Sequence, residues 1–82
     1  MPVSFGKRFK DTRAEAGFVT QDELARLLGR TREWITMLES RKGPPKRLDM
    51  DFWVPCSQAL KVSLLWLLYE RGPKNPDADQ PR

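Results

Sequence analysis

Apolar residues recur along the chain at helical spacing, and no stretch alternates apolar and polar residues for long enough to predict a strand. From Ser4 to about Ala16, Phe5, Phe9, Thr12 and Ala16 fall on one stripe, while Lys7, Lys10 and Ala14 point away; Ser4 is a fair N-cap and Gly17 a stop. Thr20-Gln21-Asp22-Glu23 reads as a capping box opening a second helix. Its expected apolar face is Leu24, Leu27 and Leu28, and Gly29 ends it. Thr31 caps a third helix that runs to about Ser40 with Ile35 and Leu38 inward. Only Gly29-Arg30-Thr31 separates these two helices, which is helix-turn-helix spacing.

Arg41–Leu48 predicts a basic loop, because Pro44-Pro45 forbids helix there. A fourth helix is expected from near Asp49 or Asp51 to about Leu60. Pro55 is tolerable only in a first turn, so this helix should be short with an irregular start. Ser63 caps a fifth helix, Leu64–Glu70, ended by Gly72-Pro73. Trp53, Cys56, Leu60, Leu64, Leu67 and Leu68 are expected to complete the core. The reading is an all-α, five-helix domain over residues 1–72, followed by a disordered tail over 73–82 that lacks apolar periodicity.

Composition narrows the chemistry. Eighty-two residues suit one small domain. The longest apolar run, Leu64–Tyr69, is far short of the ~20 residues of a membrane span, and no secretory signal opens the chain. There is no histidine, which removes His-based triads and metal sites. The single cysteine, Cys56, excludes an internal disulfide and fits a reducing cytoplasm; it reads as a small buried hydrophobe, with redox sensing the lesser alternative. We therefore expect a binding protein and not an enzyme, with no cofactor. Residues 1–47 hold 11 Lys/Arg against 6 Asp/Glu, and residues 48–82 hold 4 against 5. The basic excess is thus confined to the first 47 residues, and a polyanion such as nucleic acid is one partner it suits.

The string Thr20-Gln21-Asp22-Glu23-Leu24-Ala25, Leu28-Gly29-Arg30-Thr31, Ile35 and Leu38-Glu39 resembles the phage-repressor or Xre-like (Cro and lambda-repressor-type) helix-turn-helix family of DNA-binding domains. Phe5-Gly6-Lys7-Arg8-Phe9-Lys10 with Arg13 and Gly17 looks like that family's first helix, and Ala59–Leu68 like its last two, so the likeness spans about residues 5–69. Three features depart from the pattern. Gly17-Phe18-Val19-Thr20 is one residue longer than the usual turn, which would shift Gln21; Ser40-Arg41-Lys42 replaces an Asn-Gly or Arg-Gly turn, so the third helix would run on or end differently; and Pro55 interrupts the fourth helix.

On the third helix, the face opposite Ile35 and Leu38 carries Glu33, Thr36, Met37 and Ser40, with Arg32 at its exposed start and Trp34 at the boundary. In helix-turn-helix proteins the second helix of the motif lies in the major groove. The resemblance implies that Arg32, Glu33, Thr36 and Met37 face bases. Arg32 suits guanine O6 and N7, Glu33 suits cytosine N4 or a hold on Arg32, and Thr36 and Met37 suit a thymine methyl. An ordinary solvated helix face is the competing interpretation. Gln21, Ser40, Arg41, Lys42, Lys46 and Arg47 are the expected phosphate contacts, the loop cations also suiting a solvated charge run. In the family the residue matching Gln21 also braces the recognition helix. Residues matching Arg13 and Glu39 form a pair there, which we take as structural, and Ala25 is the small residue where helices two and three touch.

Leu65 and Tyr69, and Trp66 in part, fall on the side of the last helix that the core does not need. Such a face implies a homodimer interface, which would set two recognition helices on a palindromic operator. The expected function is a sequence-specific double-stranded-DNA-binding transcriptional regulator, a repressor of the phage, prophage or autoregulating-antitoxin kind. The alternative is a protein-interaction module on the same scaffold, including antitoxin-type partner binding.

Overall fold

In the computed structural model, which describes residues 3–75, every helix begins where the sequence offers a side-chain acceptor to its free amides. Ser4 Oγ accepts from the Lys7 N–H at 3.2 Å, opening α1 (Phe5–Glu15). Thr20 Oγ1 accepts from Glu23 at 3.2 Å, opening α2 (Gln21–Leu27), and its hydroxyl proton reaches the Glu23 carboxylate. Thr31 serves Trp34 at the start of α3 (Arg32–Glu39), Asp49 serves Asp51 at the start of α4 (Met50–Leu60), and Ser63 serves Trp66 at the start of α5 (Leu64–Tyr69). The fold is all-helical, with no strand among the described residues. No helix among them is long and apolar enough to cross a membrane.

The core is aromatic where α1 meets α4. Phe9 meets Trp53 edge-on at 6.1 Å between centroids, and Phe52 meets Trp53 edge-on at 5.0 Å. Leu24 and Ala25 from α2, Ile35 and Leu38 from α3, Cys56 and Leu60 from α4, and Leu67 and Leu68 from α5 close around them. The α2 helix packs on α3, α1 packs on α3 and α5, and α4 packs on α5. Ala25 is fully buried, as its small size at a helix crossing requires.

Four expectations need correction. Leu27 is 61% exposed, so the inward face of α2 is Leu24, Ala25 and Leu28, with Ala25 in the place assigned to the larger leucine. Leu64 is only partly buried. The fourth helix starts regularly at Met50 and continues through Pro55. Proline there leaves the Asp51 carbonyl without a helical donor, and Asp51 and Pro55 are both exposed residues, on the side of α4 where an unpaired carbonyl costs least. Finally, Lys74 is tied down, although it falls within the expected tail. Its carbonyl accepts from the Ser63 N–H at 2.8 Å, and its ammonium sits 2.7 Å from Glu15 Oε2 and 5.0 Å from the centre of the Trp66 ring. Residues 76–82 of the expected tail lie outside the described residues.

Candidate nucleic-acid interface

A tight connection sets α3 against α2. Leu28 caps α2, Gly29 takes a left-handed φ of 67°, and the Arg30 N–H donates to the Ala25 carbonyl at 2.8 Å. The Arg30 guanidinium then lies 5.6 Å from both the Trp34 and Phe52 ring centres and 3.1 Å from Asp49. That stack ties the start of α3 to the start of α4. Trp34 sits at the boundary of the helix face as expected; its indole N–H is buried and meets no hydrogen-bond partner among the described residues.

The other side of α3 is held by a polar chain of contacts. Arg13 Nε donates to Glu39 Oε2 at 2.7 Å, and both side chains are close to fully buried, at 6% and 5% exposure. Arg13 Nη1 donates to the carbonyls of Phe18 and Val19 at 2.7 and 3.0 Å. The longer turn between α1 and α2 is thus wrapped around the Arg13 guanidinium. Gln21 Nε2 donates to Glu39 Oε1 at 3.0 Å, and Thr36 Oγ1 donates to Gln21 Oε1 at 2.8 Å. The extra turn residue therefore leaves Gln21 in contact with α3.

Arg32, Glu33, Thr36 and Met37 are all exposed on the outer face of α3, Met37 at 47%. Ser40, also exposed, caps the helix, and its hydroxyl donates back to the Thr36 carbonyl at 2.7 Å. The third helix ends there and does not run on. The basic loop beyond it is anchored by its backbone: the Phe5 N–H donates to the Lys42 carbonyl at 3.2 Å and the Gly6 N–H to the Arg41 carbonyl at 2.9 Å. Arg41 is half-buried, its Nε given to the Gly43 carbonyl, whereas Lys42, Lys46 and Arg47 are exposed.

Charge pairing separates two groups of cations. Lys7, Arg8, Arg13, Arg26, Arg30 and Lys74 each meet a carboxylate. Among the described residues, Lys10, Arg32, Arg41, Lys42, Lys46, Arg47, Lys61 and Arg71 meet none; five of these eight lie between Arg32 and Arg47, and this stretch keeps its positive charge available to a polyanion. Glu33 is the one carboxylate in the exposed group on α3. On α5, Leu65 and Tyr69 are 57% and 46% exposed and Trp66 is half-buried.

Two residues that organise this arrangement escape a local reading. Arg8 is nearly buried and donates to the Leu67 carbonyl at 3.0 Å, the Leu68 carbonyl at 3.1 Å and Glu70 Oε1 at 3.2 Å, closing the end of α5. The available signal is its position: three residues after Phe5 and four before Thr12, it lies within the inward stripe. Gly6 is the other, at the close crossing of α1 and α3. Burial pushes the Cys56 thiol up to about 12, so it stays protonated near neutral pH and is a poor nucleophile. No protein-family model, curated protein or solved structure matches the chain.

Proposed function

We propose that the chain is a sequence-specific double-stranded-DNA-binding transcriptional regulator, a cytoplasmic repressor that acts by occupying its operator and has no catalytic role. The α2–α3 pair serves as the helix-turn-helix and α3 as the recognition helix. The observation that carries this reading is the succession of two exposed segments along the chain. The exposed face of Arg32, Glu33, Thr36 and Met37 runs into a backbone-anchored loop whose cations have no ion-pair partners among the described residues. Arg32 and the α3 face read base edges, while Gln21, Ser40, Arg41, Lys42, Lys46 and Arg47 contact phosphates. Gln21 keeps a second amide N–H for that purpose beyond the one given to Glu39. Self-association through Leu65, Trp66 and Tyr69 would present two recognition helices to a palindrome, ~34 Å apart.

A salt titration on mixed-sequence duplex tests the electrostatic half of the proposal. Binding should weaken steeply with salt. Replacing Lys46 and Arg47 together by alanine should flatten the log–log slope by up to ~1 per lost phosphate contact. A slope unchanged in the double variant removes the loop from the interface. The second reading, a protein-interaction module, is favoured by the exposed Leu65 and Tyr69 and by Glu33, which phosphates repel. It predicts salt-insensitive capture of a protein partner and no affinity for duplex DNA.

A further inference from the structure

The polar contacts behind α3 have a direction, and that direction decides what Thr36 can offer a base. Arg13 only donates, and Glu39, facing its guanidinium, only accepts. Gln21 must therefore turn its amide NH2 toward Glu39 (3.0 Å), which leaves its carbonyl oxygen facing Thr36. Thr36 has a single hydroxyl proton. Both oxygens within its reach on the protein side are acceptors: Gln21 Oε1 at 2.8 Å and the Arg32 carbonyl at 3.1 Å. The proton is committed inward whichever it chooses, and on this exposed side chain the γ-methyl is the part that takes no role in those hydrogen bonds.

We infer that Thr36 is a methyl reader: the Arg13–Glu39–Gln21 chain withdraws its hydroxyl donor from the groove and leaves its methyl to select a thymine methyl. Guanine, whose major-groove edge asks for donors, is disfavoured at that position. Gln21 is here a positioning residue, acting through Thr36. The inference rests on the DNA-binding reading above and names the base chemistry of that same surface.

The test is selection of an operator from a random duplex pool by the unaltered protein, followed by replacing each thymine of the selected site, one at a time, with deoxyuridine. Removing one methyl contact should weaken binding about fourfold, the equivalent of ~0.8 kcal/mol. One thymine in each half-site should show this loss. Thr36→Val keeps the methyl but removes the brace to Gln21; it should weaken binding on selected and scrambled duplexes alike while retaining the thymine-to-uracil ratio. Thr36→Ser keeps the hydroxyl and should abolish that ratio. Circular dichroism on both variants checks that an exposed substitution leaves the helices intact. A ratio lost in Thr36→Val and retained in Thr36→Ser makes the hydroxyl the reading group and overturns the inference. So does a selected site at which no thymine methyl depends on residue 36, with DNA binding itself left standing. Failure to select any duplex removes the DNA reading and this inference together.

Discussion

Gly6 and Glu39 meet backbone to backbone. A β-carbon on Gly6 would collide with the carbonyl group of Glu39, and would lie 2.8 Å from the Arg41 carbonyl oxygen. Only glycine lets α1 cross the end of α3 this closely. Because the obstructing atoms are main chain, no side chain can swing aside. Gly6→Ala should therefore destabilise the fold by about 3 kcal/mol, the upper part of the range for overpacking, in denaturant unfolding. Gly43→Ala, where a β-carbon meets nothing within 4 Å, should stay within ~0.5 kcal/mol of the parent. Equal effects of the two would contradict the close crossing.

Arg13→Ala should act on stability. It strands a Glu39 side chain that is 5% exposed and releases two turn carbonyls, Phe18 and Val19. Removing one partner of a buried pair costs about 3 kcal/mol, which lowers the thermal midpoint by ~12 °C or more in a domain of this size. Arg13→Lys should recover only part of this, since an ammonium cannot hold Glu39 and both carbonyls with the geometry of a planar fork. An unchanged midpoint in Arg13→Ala would mean that the pair contributes nothing to stability.

Cys56 gives a pH dependence of definite sign. Burial raises its thiol from the ordinary 9.0 to about 12 in the folded chain. Below pH 9 the thiol is protonated in both folded and unfolded chains and stability is unaffected. Between pH 9 and about 12 only the unfolded chain releases the proton, so stability falls as pH rises, by ~1.4 kcal/mol per unit. Denaturant unfolding at pH 7, 9 and 10.5 should show this decline. Cys56→Ala should flatten it, after a small constant loss for the cavity. Parallel curves for the two proteins would contradict the burial effect.

Arg32→Ala should weaken binding to the selected operator by ~1–3 kcal/mol and relax selection at one base position in each half-site. Lysine there should restore affinity only in part. Equal losses on operator and mixed-sequence duplex would make Arg32 a phosphate contact. No loss on either would take the outer face of α3 away from DNA.

Local chemistry made most of the fold readable in the sequence. Ser4, Thr20, Thr31 and Ser63 each cap a helix because an N-cap needs only its own side chain and the next turn. Ile35 and Leu38 are inward because helical spacing leaves them no other role in α3. What escaped depends on distant partners or on solvent. Periodicity in the seven-residue α2 does not by itself show that Leu27 faces outward; the contact at Ala25, which the family resemblance did imply, turns that leucine to the exposed side. The place of Pro55 inside α4 is not legible locally, because its cost depends on whether the helix turns that residue to the exposed side. The position of Arg8 within the inward stripe of α1 signals its burial, but its carbonyl partners, 59 and 60 residues away, are not legible locally. In the candidate site, residue types and the exposed face of α3 were legible. The direction of the Glu39–Gln21–Thr36 hydrogen bonds was not, because it arises from three elements meeting.

The main-chain bonds from Phe5 and Gly6 to Lys42 and Arg41 have one more consequence. They join the first turn of α1 to a loop more than thirty residues later, so the loop backbone at Arg41 and Lys42 loses its conformational freedom when the domain folds. The entropy of ordering that segment is then already spent before a polyanion arrives. At Arg41 and Lys42 a ligand then has only side chains left to immobilise, and the first residues of α1 govern how ready the start of this basic loop is to bind.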